Sequence, residues 1–215
     1  MIIPKKNNKF IVVEGIEGAG KHNACLYIKH ILTLYGIKNI ISVREPGSTD
    51  LAEKIRKLLK TEYQTEIVMN KTELLLMYAA RLQLVENVIK PALKKGYWVI
   101  GDRHDMSTFA YQGGGCQIKK KHITYLRKMC LKNFYPDLTI YLDVNPTVGL
   151  NRAYHRSTLD RIEKKNIDFF IRTRKKYLEL IKNNTKSITI NANYNEKIVK
   201  KMIFKKINTW IQQQK

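Results

Sequence analysis

Two hydrophobic rhythms alternate along the chain. Short β-branched apolar runs, FIVVE at 10–14, NIISV at 39–43, YWVIGD at 97–102, LTIYLD at 138–143 and SITIN at 187–191, are separated by longer stretches whose apolar positions return every three or four residues. The short runs predict strands and the 3.6-residue rhythm predicts helices. Helices are expected at 20–36, 49–60, 71–95, 119–132, 158–183 and 195–212. The first ends near Gly36 and the third before Gly96, where a helix stop is expected. Strand alternating with helix implies a parallel sheet with helices on both faces, an α/β fold with five strands. No internal repeat and no long Pro/Gly/Ser linker interrupts the pattern, so residues 1–215 are expected to form one domain. Segments 44–50, 102–116 and 146–158 follow strand ends, where open α/β sheets take their ligands.

Composition narrows the class. At 215 residues, with 44% hydrophobic and 27% charged, the chain suits a single well-buried core and not wholesale disorder. The opening MIIPKKNNK has too short an apolar start for a signal peptide, and no run approaches a membrane span, so a cytoplasmic location without membrane contact is expected. Cys25, Cys116 and Cys130 are odd in number and widely spaced, which predicts free thiols. The net charge of +22 raises the question of nucleic acid. Thirty of the 40 basic residues are lysines spread along nearly the whole chain, accompanied by 16 asparagines, a bias that fits an AT-rich genome as well as a binding surface. The arginines are placed differently: Arg44, Arg56, Arg81, Arg103, Arg152, Arg156 and Arg161 fall in or beside segments that follow the strands. Arginine's planar fork binds phosphate with two parallel hydrogen bonds, which lysine cannot copy.

The strongest local signal is Gly15-Ile16-Glu17-Gly18-Ala19-Gly20-Lys21-His22, lying between the strand FIVVE and the helical ACLYIKHIL. The G-x4-GK spacing in a strand-loop-helix context predicts a phosphate-binding loop and a three-layer P-loop fold. Backbone amides converge on phosphate oxygens, glycines allow close approach, and the helix N-terminus adds positive potential. Lys21 supplies a point charge for the terminal phosphates of ATP. The serine or threonine that normally follows the lysine, and gives magnesium an oxygen, is replaced by His22. Imidazole nitrogen is a poor partner for a small hard cation. Mg2+ keeps several waters and leans on the phosphates themselves, so the loop is expected to bind nucleotide and hold the metal more loosely, with Asp102 as the remaining carboxylate.

With the loop placed, the chain resembles the bacterial thymidylate kinases over essentially its full length. The resemblance runs through VVEGIEGAGK, VREPGSTDLAEKIR, ELLLMYAARLQLVENVIKPAL, WVIGDRHDMSTFAYQGGG, PDLTIYLDVNPTVGLNRA and LDRIE, in order and at matching separation. It implies transfer of the γ-phosphate of ATP to dTMP. It assigns Glu17 to the sugar 3′-hydroxyl, Arg44 to support of the acceptor, and Arg103 to the acceptor phosphate. It puts Arg81 and Thr108 on the thymine base, and Tyr111 beside C2′ of the deoxyribose, with Gln112 and the Gly113-Gly114-Gly115 run completing that segment. An aromatic residue usually stacks on the base one turn before Arg81; Met77 stands there, and a thioether lacks a ring's flat face. Several of these residues have plainer readings. Pro46-Gly47 could simply turn the chain, Arg103 could form a surface ion pair, the helix 71–95 reads as core apart from Arg81, and the glycine run could be a flexible loop.

On the donor side the phosphate loop itself carries no arginine. The resemblance places the catalytic arginine on a short mobile lid over ATP, approximately 147–161, with Arg156 first and Arg152 second; a solvated helix start is the plainer alternative. It also implies a homodimer burying the long central helix. Phosphoryl transfer needs placement and charge more than a general base, consistent with the lack of a persuasive His–acid pair in the sequence. Kinase activity toward another nucleoside monophosphate, a basic nucleic-acid-binding protein with an ATP switch, and a degenerate binder remain as alternatives; nucleic acid is the minority expectation.

Overall fold

The computed structural model describes residues 8–156 and 158–213. Five strands, β1 (Phe10–Glu14), β2 (Ile40–Arg44), β3 (Trp98–Asp102), β4 (Leu138–Asp143) and β5 (Ser187–Asn191), form one parallel sheet in the order β2-β3-β1-β4-β5. β1 is the axis, pairing Phe10 with Val99 on one side and Ile11 with Leu138 on the other. Every residue of β1 is buried, as a central parallel strand covered on both faces requires.

The two faces carry separate cores. On one, Ile28, Ile31 and Leu32 of α1 (Lys21–Leu34) pack with Phe169, Phe170 and Tyr177 of α8 (Ile167–Lys182) and Ile203 and Ile207 of α9 (Glu196–Gln212). On the other, Phe10 and Val12 meet Leu74, Tyr78 and Leu84 of α3 (Asn70–Leu84) and Ile123 and Leu131 of α6 (Lys120–Leu131). α2 (Asp50–Lys60) lies on α3 through Ala52, Ile55 and Leu59 against Met77 and Ala80. Thr49 caps α2 by accepting from the Ala52 N–H, with Asp50 and Glu53 in its first turn and Lys57 and Lys60 in its last, the distribution that complements a helix dipole.

The helix expected at 71–95 runs from 70 to 94, but with a π-helical turn at Val85–Ile89 before α4 (Lys90–Lys94). Pro91 lacks an N–H and its ring would strike the carbonyl one turn earlier; the widened turn gives it room. Two expectations fail. Residues 158–166 are not helical, because Asn166 caps α8 by accepting from the Phe169 N–H and fixes its start there. A helix not expected, α7 (Pro146–Arg156), precedes that turn, with Asn145 Oδ1 accepting from the Thr147 N–H and Pro146 at the first helical position. The segment after β3 is also helical: α5 (Asp105–Thr108) passes into a π-helical turn at Phe109–Gly115. Its glycines are not a flexible loop. A Cβ on Gly115 would fall 2.3 Å from the Phe169 ring and one on Gly114 2.6 Å from the Lys176 Cβ, so the run is glycine because α8 lies directly on it.

Candidate active site

The carboxyl ends of β1, β3 and β2 place the loop 15–20, Asp102-Arg103 and Glu45-Pro46 side by side. They open onto a cavity of about 180 Å³ lined by Glu17, Lys21, Arg103, Tyr111 and Gln112, among others. At the centre lies a closed triangle of polar contacts. Arg103 Nη2 donates to Glu17 Oε1 at 2.8 Å and Nη1 to the Gly15 carbonyl at 2.8 Å, while Tyr111 Oη donates to Glu17 Oε2 at 2.6 Å. The Arg103 guanidinium also sits 4.9 Å from the centre of the Tyr111 ring. Arg103 follows β3 with φ 71, a left-handed conformation that a non-glycine residue adopts at a cost of about 1–3 kcal/mol and that clusters at functional sites. Burial opposes the Arg103 charge, but Tyr111 and Glu17 outweigh it and hold the group firmly protonated. An Arg103 guanidinium fixed on three sides is a rigid fork for an incoming anion.

Lys21 opens α1 and donates to the Ile16 carbonyl at 2.8 Å across the loop it closes. Burial first, then the neighbouring Arg103 charge, lowers its ammonium to about 8, against partial support from Asp102 and Glu17. The leading amides of α1 have no intrahelical acceptor and face the loop. Gly18 has φ 67, and a Cβ there would stand 1.9 Å from the carbonyl oxygen of Gly149 in α7; a Cβ on Gly149 would stand 2.4 Å from the carbonyl oxygen of Glu17. The phosphate loop and α7 thus touch backbone to backbone, which only two glycines allow. His22 is exposed on the first turn of α1. Ile16, Ala19 and Gly20 complete the loop; Ile16 and Ala19 are buried and Gly20 exposed.

A second cavity, about 290 Å³, adjoins the loop on its other side, between Gly18, Ala19, Gly20, Asn23, Arg152, Tyr194 and Val199, among others. Arg152 does not reach the first cavity's lining. Its guanidinium donates to the carbonyls of Ala192, Asn193 and Tyr194 at 2.7, 3.0 and 3.2 Å, so it pins the β5–α9 connection that walls this second space. Arg156 does line the first cavity, largely exposed, and donates to Glu163 Oε1 at 2.7 Å. Arg44 is paired with Glu53 at 3.0 Å on the cavity rim.

The base-side residues divide. Met77 and Gln112 line the first cavity. Arg81 and Thr108 are buried and do not: Arg81 donates to Glu45 Oε2 at 2.6 Å, to Thr108 Oγ1 at 2.8 Å and to the His104 carbonyl at 3.1 Å. Glu45 also contacts His104 Nδ1 at 2.7 Å; burial opposes its charge, yet His104 and Arg81 hold its carboxyl below the ordinary range. Arg81, set in the helix stripe, is therefore the centre of a buried ion network behind the cavity wall. Sequence reasoning also passed over Glu45, the acidic cavity residues Asp160 and Glu163, and the role of Arg56, which donates to the Pro46 carbonyl at 2.8 Å and lines the cavity. The DRIE run and the single arginine inside a charged amphipathic helix were the only signals for them.

The family model described as thymidylate kinase matches residues 13–203. The chain belongs to the thymidylate kinase family. It is 56% identical over 207 residues to the thymidylate kinase of Buchnera aphidicola from Acyrthosiphon pisum, covering 96% of this chain and 98% of that one. It is 57% identical over 206 residues to its counterpart from Schizaphis graminum, covering 96% and 97%. Among solved structures it is similar to thymidylate kinase from Ehrlichia chaffeensis, with TM-score 0.75 and 28% identity, covering 94% of this chain and 99% of the other. In this member of the family two cavities meet at one phosphate loop.

Proposed function

We propose that the chain transfers the γ-phosphate of ATP to dTMP, giving dTDP for dTTP synthesis. The observation that carries the reading is the Glu17–Arg103–Tyr111 triangle set against the phosphate loop in a member of this family. One carboxylate is ready for a sugar hydroxyl, one guanidinium for a monophosphate, and one ring limits the space beside the sugar. The triphosphate lies along Gly15–His22 with Lys21 on its terminal phosphates, and the ATP base enters the second cavity beside Arg152. The monophosphate enters the first cavity, its phosphate facing Arg103 with Arg44 and Arg56 at the rim. Met77 packs on the base, and Gln112 reads its edge. Arg81 and Thr108 support that pocket from behind.

An acceptor phosphate oxygen attacks the γ-phosphorus in line as the bridging oxygen of ADP leaves; one O–P bond forms, one breaks, and no proton must move because the acceptor is already anionic. Arg156, on the lid 147–161, exchanges Glu163 for the charge that develops on the transferring group. The Arg156 end of that pair is exposed, whereas Glu163 is buried and keeps the Asp160 N–H on its other oxygen at 3.1 Å. When bound, Mg2+ would supply charge neutralisation at the phosphates. Asp102, which lines the first cavity, would be the protein carboxylate that holds the ion, with water and phosphate oxygens completing its shell.

We read the 215 residues as one cytoplasmic domain that pairs into a homodimer; among the described residues no helix is long and apolar enough to cross a membrane. Leu75 and Leu82 on α3, and Leu51 and Leu58 on α2, each seven residues apart, are solvent-exposed on two helices that pack together, the apolar surface a partner copy would cover. All ten arginines hydrogen-bond within the chain, which does not favour a free arginine face for nucleic acid. A coupled assay with ATP and a panel of monophosphates, with and without magnesium, tests the reading. Turnover with dTMP ahead of the others supports it, and absence of turnover with any monophosphate overturns it.

A further inference from the structure

Gln112 is buried, lines the acceptor cavity, and has one end of its amide without a partner. Its Nε2 donates to Glu73 Oε1 at 2.9 Å, while Oε1 is buried and makes no hydrogen bond among the described residues. A buried carbonyl oxygen left unpaired costs about 1–3 kcal/mol, so a structure keeps one where something else completes it. Glu73 itself is buried in the first turn of α3 and does not line the cavity. Its second oxygen takes Arg161 Nη2 at 2.5 Å. Arg161 belongs to the turn between α7 and α8, and its Nε donates to the Leu59 carbonyl at 2.9 Å; beside it Asp160 pairs with Lys60 at 2.8 Å. The turn is thereby docked on the end of α2 and the start of α3.

We propose that Glu73 is a positioning residue for base selection, linking the docked 158–166 turn to the amide of Gln112. A carboxylate oxygen accepts hydrogen bonds, so Glu73 takes the NH2 end of Gln112 and leaves the amide oxygen unpaired in the wall of the cavity that Gln112 lines. An oxygen held there accepts from a base that presents a ring imide N–H, as thymine and uracil do. It repels cytosine, whose N3 offers a lone pair. Arg161 fixes the Glu73 carboxylate from the far side, so the amide is oriented fully only when the turn is seated. The inference rests on the functional reading above, since it assumes a pyrimidine monophosphate in this cavity.

The test is the ratio of kcat/KM for dTMP to that for dCMP in E73Q and, separately, R161Q. A glutamine at 73 can offer either end of its amide, which frees Gln112 to turn its NH2 toward N3 of cytosine. The ratio is expected to fall about tenfold in E73Q, mostly through KM for the monophosphate, with KM for ATP within about twofold of wild type. R161Q, at a residue outside the lining of both cavities, is expected to shift the ratio in the same direction by a smaller factor. A purely structural role would lower thermal stability and kcat for both substrates while leaving the ratio unchanged, and an unchanged ratio in both variants overturns the proposal. If E73Q does not fold, the R161Q ratio decides alone by the same criterion. A wild type without turnover on any monophosphate refutes the functional reading and this inference with it, and is recognised before any variant is made.

Discussion

A lysine whose ammonium titrates near 8 should make ATP binding sensitive to pH in a range where the nucleotide no longer changes. Lys21 is pulled down mainly by burial and next by Arg103. The bound triphosphate restores the charge, because an ammonium against phosphate oxygens is stabilised in its protonated form. Free protein therefore binds ATP with Lys21 protonated, and at pH above 8 it must first take up a proton. With the free group at about 8, roughly nine-tenths is protonated at pH 7 and one-tenth at pH 9. ATP affinity should then fall about tenfold between those values, ~1.4 kcal/mol. The phosphates are fully ionised from pH 8 upward, so the slope there belongs to the protein. Titration calorimetry at pH 7, 8 and 9, in buffers of different ionisation enthalpy, reads both the affinity and the proton. Uptake should approach one proton at pH 9 and be small at pH 7. K21M should bind more weakly with no break near pH 8. A wild-type affinity flat from pH 7 to 9, or the same slope in K21M, refutes the assignment. In the ligand-free protein the sign is opposite: a depressed lysine costs stability while it is charged, so its contribution rises as pH climbs from 8 toward 10.5.

Three further outcomes are expected. R156A should lower kcat by about 100-fold or more with KM for ATP changed less than about threefold, because the guanidinium is needed where charge develops and not for seating the ground state; equal losses in both would move the role elsewhere. G149A drives a methyl toward the Glu17 carbonyl, 2.4 Å from an ideal Cβ, and should cost about 1–3 kcal/mol in denaturant unfolding. It should weaken ATP and dTMP together, since the loop it displaces serves both; unaltered binding of both would show that the backbone contact is dispensable. H22T restores a hydroxyl at the head of α1, and should lower the magnesium concentration for half-maximal activity by severalfold; an unchanged requirement would mean that position 22 does not face the ion.

Much of the site follows from local pattern, because local pattern governs strand ends and the turns after them. The G-x4-GK run after a buried apolar strand sufficed to place the phosphate loop, since its geometry is made by main chain and glycine. The Asp102-Arg103 pair at the end of β3, and Glu17 inside the loop, were legible as charges where packing has no use for them. Asn145-Pro146 is an N-cap followed by a favoured first helical residue, so α7 was present in the sequence as a signal that the apolar runs around it obscured. Met77, one turn ahead of Arg81, reads as core from helical spacing, and only the family resemblance placed it at the cavity it lines.

Tertiary contacts decided what periodicity cannot express. A period states which face of a helix is buried, not which partner waits there. Arg81 and Arg152 look alike as arginines near a ligand, yet one is spent on Glu45 and Thr108 behind the wall and the other on three carbonyls beside a second cavity. The glycine run 113–115 looked equally fit to be a loop until α8 came down on it. The amino-acid sequence determined the order of strands and helices, the anion-binding loop and the reserve of charge. Their pairing into the Glu17–Arg103–Tyr111 triangle, the buried network of Arg81 and the Gln112–Glu73–Arg161 contacts came from the tertiary fold, which brings residues 94 positions apart, Glu17 and Tyr111, to within hydrogen-bond distance.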